Sequence, residues 1–222
     1  MKLKTLLAGL ALAISATAQA AAVYGQNLIV NGGAEAGTAG WSGFDSYDLF
    51  QTDVYGPNWV RPSEPGPADR GQRLFIGVGA RSVGYQTLNL DSLAGHSASF
   101  TLSGWLGGWQ AQGDNALLYA SFLDAWGSEV GSAAIGPVTP GDRGNRTGLF
   151  YRETTGYLPQ EAVSVQFWLS MERQGGGDND GYADNLSFIV TAPQQVPEPG
   201  GLALASLGLV AAFGARSRRR KA

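Results

Sequence analysis

Tryptophans and carboxylates are almost the only side chains in this sequence that could do chemistry. There is no cysteine, and the single histidine, His96, follows Gly95 in an expected turn. This excludes thiolate catalysis and multi-histidine metal centres. A Ser-His-Asp triad would have to use His96, but no Gly-x-Ser-x-Gly elbow accompanies it, so it reads as a surface histidine. The carboxylates could furnish a pair for glycoside hydrolysis, which needs two acids about 5 to 10 Å apart across a sugar. No stretch of the sequence singles out such a pair.

The aromatics carry more information. In Ser99 to Leu106, Phe100, Leu102 and Leu106 share one parity and Trp105 shares the other with Ser99, Thr101 and Ser103. In Ala162 to Met171, Val163, Val165, Phe167, Leu169 and Met171 alternate with Ser164, Gln166, Trp168 and Ser170. Side chains alternate across a strand, so both tryptophans fall on the polar face. A tryptophan there can stack on a sugar's C–H face while Gln166, Asp114 or Arg152 hydrogen-bonds its hydroxyls, and Trp109 with Gln110 could rim the cleft. The expected glycan site is therefore Trp105, Trp109, Trp168 and Gln166. The competing outcome is that a loop or second sheet covers these tryptophans and they belong to the core.

The elements that must position these residues read as strands. Residues 23 to 191 show no long amphipathic helical period; short apolar stretches recur between Gly-rich and Asn/Asp-rich turns, the spacing of a sandwich or barrel. Beyond the two strands above, others are expected at Leu28 to Val30, Arg73 to Val78, Tyr85 to Leu90, Ala116 to Ala125, Leu149 to Thr154 and Asn185 to Thr191. The fold class is all-β, a jelly-roll β-sandwich of about eight antiparallel strands. Ala116 to Ala125 is apolar on both parities and reads as a central strand covered on both faces. Tyr55 to Gly71 carries four prolines and reads as a long surface loop, since proline donates no ladder hydrogen bond.

Both ends stand apart. Residues 1–22 have the order of a secretory signal helix: Lys2 and Lys4, an apolar run from Leu6 to Ile14, then small residues, with cleavage expected after Ala20 or Ala22. At the other end, residues 192–199 form a Pro-rich linker, residues 200–215 are apolar and uncharged and read as a transmembrane helix, and residues 216–222 form a basic cytoplasmic tail with Arg216, Arg218, Arg219, Arg220 and Lys221. Positive charge stays cytoplasmic, which places the domain outside. Seven of the 15 Lys and Arg residues lie in these ends, leaving eight in the domain, all arginine, against 17 of the 18 carboxylates. A net charge near −9 by that count excludes the electrostatic footprint of a nucleic-acid binder. Without cysteine, an exported domain must rest on its hydrophobic core.

Val196-Pro197-Glu198-Pro199, followed by the apolar segment and the arginine cluster, resembles the PEP-CTERM family of sorting signals. The resemblance implies processing near that motif by exosortase, a membrane cysteine transpeptidase of Gram-negative bacteria. It also implies a membrane-held intermediate, release to the cell surface or extracellular matrix, and a setting of exopolysaccharide production.

Asn27-Leu28-Ile29-Val30-Asn31-Gly32-Gly33-Ala34-Glu35 resembles the opening strand of jelly-roll carbohydrate-binding modules of the galactose-binding-like class. Gly181-Tyr182-Ala183-Asp184-Asn185-Leu186-Ser187-Phe188 resembles their closing strand. The resemblance implies one structural calcium ion held by Glu35 and Asp184 with the Gly33 carbonyl; calcium takes about six to eight oxygens, and Asp69, just before an expected strand, is placed to add another. The loop Gly175 to Gly181 also has spaced acids, but its twelfth position is Ile189 where an EF-hand needs a bidentate glutamate, so it reads as a solvated acidic turn. Together these readings describe an exported, non-catalytic polysaccharide-binding protein. The alternatives are a structural or adhesive sandwich without a cleft, and a glycoside hydrolase.

Overall fold

The computed structural model describes residues 22–93 and 98–193. The signal segment, His96, the Val196–Pro199 motif, the apolar segment 200–215 and the basic tail lie outside the described residues. Chain contacts divide the protein into Met1–Ala192 and Pro193–Ala222.

Among the described residues there are nine strands: β1 Gln51–Val54, β2 Arg73–Ile76, β3 Arg81–Asn89, β4 Ser99–Gly108, β5 Asn115–Leu123, β6 Glu129–Ile135, β7 Gly148–Tyr157, β8 Ser164–Glu172 and β9 Tyr182–Thr191. They form two antiparallel sheets, a five-stranded one in the order β1-β2-β9-β4-β7 and a four-stranded one in the order β3-β8-β5-β6. This is the jelly-roll sandwich that the alternation predicts. In β8, Val165, Phe167, Leu169 and Met171 are fully buried, while Gln166, Trp168 and Ser170 face outward and are half-buried. From the opposite sheet, Phe100, Leu102, Leu106, Leu186, Phe188 and Val190 fill the other side of the same core.

Seven of the expected strands correspond to β2, β3, β4, β5, β7, β8 and β9. The eighth, Leu28 to Val30, is irregular: Asn27 makes one isolated bridge to Ile189, and the Leu28 N–H donates to the Phe188 carbonyl at 2.8 Å. β2 pairs with β9 only at Ala183 and Tyr182, so residues 25–32 take up the hydrogen bonding of β9 further along. The two ends of the domain are thereby zipped together. β1 and β6 escape the sequence pattern because each is a sheet edge with one neighbour and little to bury.

The proline-rich segment after β1 is a loop, and it folds back over the outer face of the five-stranded sheet. There Val60 joins Leu74, Ile76, Leu149 and Tyr182 in a second apolar cluster, against which Trp59, Trp105 and Trp109 pack. The Leu149 N–H donates to the Pro65 carbonyl at 2.9 Å, fixing the loop to β7.

Candidate functional site

Trp105 and Trp168 are on different sheets. Both point away from the core, as their parity requires, but sheet assignment puts them on opposite outer faces of the sandwich. On the face around Trp105 and Trp109, Val60 of the proline-rich loop belongs to the apolar cluster against which both tryptophans pack half-buried, so Trp105 and Trp168 do not share one cleft. Arg152, on β7 of that same sheet, pairs with Asp142 at 3.6 Å. Asp114 is fully buried and accepts backbone N–H bonds from Gln174, Gly175 and Asp180, which leaves it no part in a cleft. Of the predicted glycan residues, Trp168 and Gln166 remain together on one open face.

That face belongs to the four-stranded sheet and carries a groove of about 350 Å³. The register places Tyr85, Trp168 and Tyr119 in one row across β3, β8 and β5, and Thr87, Gln166 and Ser121 in the next. Trp168 and Tyr119 form aromatic walls, Arg81 lies at one end and Glu129 at the other. The Glu129 carboxylate accepts hydrogen bonds from the Tyr119 hydroxyl at 2.9 Å and from the Ser121 hydroxyl. These bonds, that from Ser121 foremost, hold the Glu129 carboxyl below the ordinary glutamate range. Gln166 Nε2 donates to the Thr87 hydroxyl at 3.0 Å, keeping the amide on this surface. Arg81 donates to Ser170, pairs with Glu172 at 3.4 Å and lies over the Tyr47 ring. Flat rings beside hydroxyl, amide and carboxylate groups suit a ligand with apolar C–H faces and polar rims.

Sequence reasoning missed Tyr119, Ser121, Glu129 and Arg81, and also Phe44, which packs against Trp168. β5 looked double-covered because Leu117 and Tyr119 are apolar, yet both line the groove, half-buried. Period-two alternation of the polar and aromatic residues in β3 was the available signal for Arg81 and Tyr85.

The expected metal ligands cluster on the opposite side. A bulge in β9 opposite Ser103 and Trp105, with Asn185 at φ 46°, turns Asp184 under the proline-rich loop. Asp184 is fully buried, accepts from the Tyr55 hydroxyl at 2.6 Å and from the Asn185 N–H at 2.7 Å, and has its pKa pushed up to about 7, chiefly by burial, with the charges of Glu35 and Asp69 adding to the shift. Asp69 accepts from Asn185 Nδ2 at 2.9 Å, and Glu35 accepts from the N–H groups of Gln72 and Arg73. A Cβ at Gly33 would come within 3.2 Å of Asn185 Oδ1, so that backbone closely approaches the cluster. These are hard oxygen donors around a desolvated acid, the chemistry calcium takes. Among the described residues, no three acidic or histidine side chains converge closely enough to enclose an ion as they stand.

Fold and site together define an antiparallel jelly-roll sandwich with an aromatic groove on one outer sheet face. The carboxy-terminal residues 195–220 match the PEP-CTERM protein-sorting motif, so the chain carries that sorting signal. No curated protein sequence matches the chain. Among solved structures, a family 16 carbohydrate-binding module is similar at 22% identity and TM-score 0.50, covering 73% of this chain and 99% of that one. The enzymatically active domain of a tailspike protein from bacteriophage CBA120 is similar at 16% identity and TM-score 0.50, covering 74% of this chain and 21% of that one. The CBM22-1 xylan-binding domain of Paenibacillus barcinonensis Xyn10C aligns at 14% identity and TM-score 0.46, over 78% of this chain and 99% of that one. At these identities the likeness is one of fold.

Proposed function

We propose that this is the polysaccharide-binding domain of an exported protein, sorted to the cell surface or matrix of a Gram-negative bacterium by exosortase, and that the groove on the four-stranded sheet takes the glycan. The observation that carries this reading is the groove itself, with two aromatic walls and with hydroxyl and carboxylate groups on an outer sheet face. The PEP-CTERM motif supports export, a membrane-held intermediate and processing near Pro197.

Glu129 is the one carboxylate among the residues lining the groove, where it serves as a hydrogen-bond acceptor. Glycoside hydrolysis takes a pair of acids across the sugar, so the groove suits binding better than cleavage. The oxygen cluster of Glu35, Asp69, Asp184 and the Gly33 carbonyl would hold a structural calcium ion, distant from the groove in the fold.

A glycan array probed with the wild-type domain, Trp168→Ala and Trp105→Ala tests the assignment. Binding that Trp168→Ala abolishes and Trp105→Ala preserves is the expected result. A folded wild-type domain that binds no glycan would instead favour the structural or adhesive reading, and sugar release lost on changing one acid would favour a hydrolase.

A further inference from the structure

Trp126 is 88% exposed, the most exposed of the large apolar side chains among the described residues. It sits at the tip of the hairpin between β5 and β6. The turn does not require it. Asp124 Oδ1 accepts from the N–H groups of Trp126 at 2.9 Å and Ser128 at 2.8 Å, the Asp124 N–H donates to the Ser128 carbonyl, and Gly127 at φ 79° closes the loop. Asp and Gly supply everything the turn needs, and any side chain would serve at 126. The turn fixes the backbone that carries this indole and leaves the ring almost wholly in water, free to cover an apolar surface brought to it.

The groove leads toward that place. It crosses the sheet diagonally from Arg81 on β3, past Trp168 on β8 and Tyr119 and Ser121 on β5, to Glu129 on β6. Glu129 pairs with Leu123 across the hairpin, three residues from Trp126. Trp168 stands beside Tyr119, and the chain from Tyr119 to the hairpin tip spans roughly 20 Å at ordinary strand rise. A disaccharide cannot cover that span, whereas a hexasaccharide can. Between the two tryptophans lie the Ser121 hydroxyl and the Glu129 carboxylate, groups that pair with sugar hydroxyls.

We propose that the glycan path continues beyond Glu129 to Trp126, so that Trp168 and Trp126 are two stacking platforms for one extended chain and the domain binds the interior of a polysaccharide rather than a sugar end. This rests on the groove being the glycan site. The occupant is a neutral, extended oligosaccharide with apolar ring faces, the ligand class on which indoles stack.

The test is calorimetry on the wild-type domain, Trp126→Ala, Trp126→Tyr and Trp168→Ala, titrated with the disaccharides and hexasaccharides of xylan, cellulose and β-1,3-glucan. Trp126→Ala should weaken hexasaccharide binding about five- to tenfold, the effect of one lost aromatic contact. Disaccharide binding and the melting temperature should be unchanged, and Trp126→Tyr should recover most of the loss. If Trp168→Ala abolishes binding and Trp126→Ala leaves hexasaccharide affinity at the wild-type value, the groove stands and its extension is overturned. A wild-type domain that binds no member of the panel overturns both.

Discussion

The ring of Phe44 is stacked on the indole of Trp168, with centroids 4.7 Å apart and planes inclined by 18°. Phe44 also leans on Tyr85 at 4.6 Å. It arrives from the connection preceding β1, which is tied to the free edge of β3 by the bridges Ser42–Tyr85 and Asp48–Ser82. One side of the Trp168 indole is therefore supported by protein while the residue still lines the groove.

Support of this kind sets the orientation of a binding residue before ligand arrives, and lowers the ordering cost of binding. Phe44→Ala should leave the fold intact and weaken glycan binding by about 1 kcal/mol, the scale of one aromatic pair. Phe44→Tyr, which preserves the stack, should stay near wild type. Calorimetry on a bound oligosaccharide decides the point, and tighter binding by Phe44→Ala would show that the phenyl ring occupies the glycan's place.

Two residues of this face were legible in the sequence. Strand parity alone put Trp168 and Gln166 outward, because alternation is a local property of an extended chain. The same argument put Trp105 outward on its own strand, and it does leave the main core. Parity identifies a side of a strand, however, and neither which sheet the strand joins nor what folds over it. Those depend on pairings between distant segments, such as β4 with β9 and the Pro65 contact with Leu149. Glu129 was hidden for a related reason: β6 is an edge strand of small residues, recognisable only beside β5. The opening and closing motifs lie close in space for a simple reason: the closing one is β9 itself and the opening one hydrogen-bonds along it, the Leu28 N–H to the Phe188 carbonyl and the Leu186 N–H to the Gly32 carbonyl.

Calcium should stabilise the domain through the oxygen cluster of Glu35, Asp69 and Asp184. With free calcium near one hundred times its dissociation constant, linkage gives about 2.7 kcal/mol, or several degrees in melting temperature for a domain of this size. Asp184→Asn keeps an acceptor for the Tyr55 hydroxyl and should remove the calcium response. Scanning calorimetry with calcium and with a chelator makes the comparison, and identical melting in both would dispose of a structural ion.

Asp180 should make stability depend on pH. Burial pushes its carboxyl above the ordinary aspartate range, with the hydrogen bond from the Tyr182 hydroxyl opposing and the Asp114 charge adding to the rise. Below about pH 4 the folded and unfolded chains both carry the proton. Above that, the unfolded chain loses it first, so the folded state binds more protons and stability falls as pH rises through the window. Asp180→Asn keeps an oxygen for Tyr182 and should flatten that part of the slope. Urea midpoints measured from pH 4 to pH 7 in chelator would show it, and parallel slopes for variant and wild type would refute it.

Arg143 should be the costliest single charge to remove. Its side chain is fully buried, yet among the described residues no carboxylate forms an ion pair with it. It donates through Nη1 to the Val138 carbonyl at 2.8 Å, and through Nη2 to the carbonyls of Gln110 at 3.0 Å and Gln112 at 2.7 Å. One guanidinium thus pins the connection after β4 to the one before β7, using a planar fork that an ammonium lacks. Arg143→Met would strand several buried carbonyls at once, and Arg143→Lys cannot span both groups. Each should cost about 3 kcal/mol or more, since an unpaired buried polar group loses its full solvation. Arg152→Met, which breaks an exposed pair with Asp142, should cost under about 1 kcal/mol. Urea denaturation of the three variants separates these cases, and equal losses would mean that the carbonyls around Arg143 find other donors.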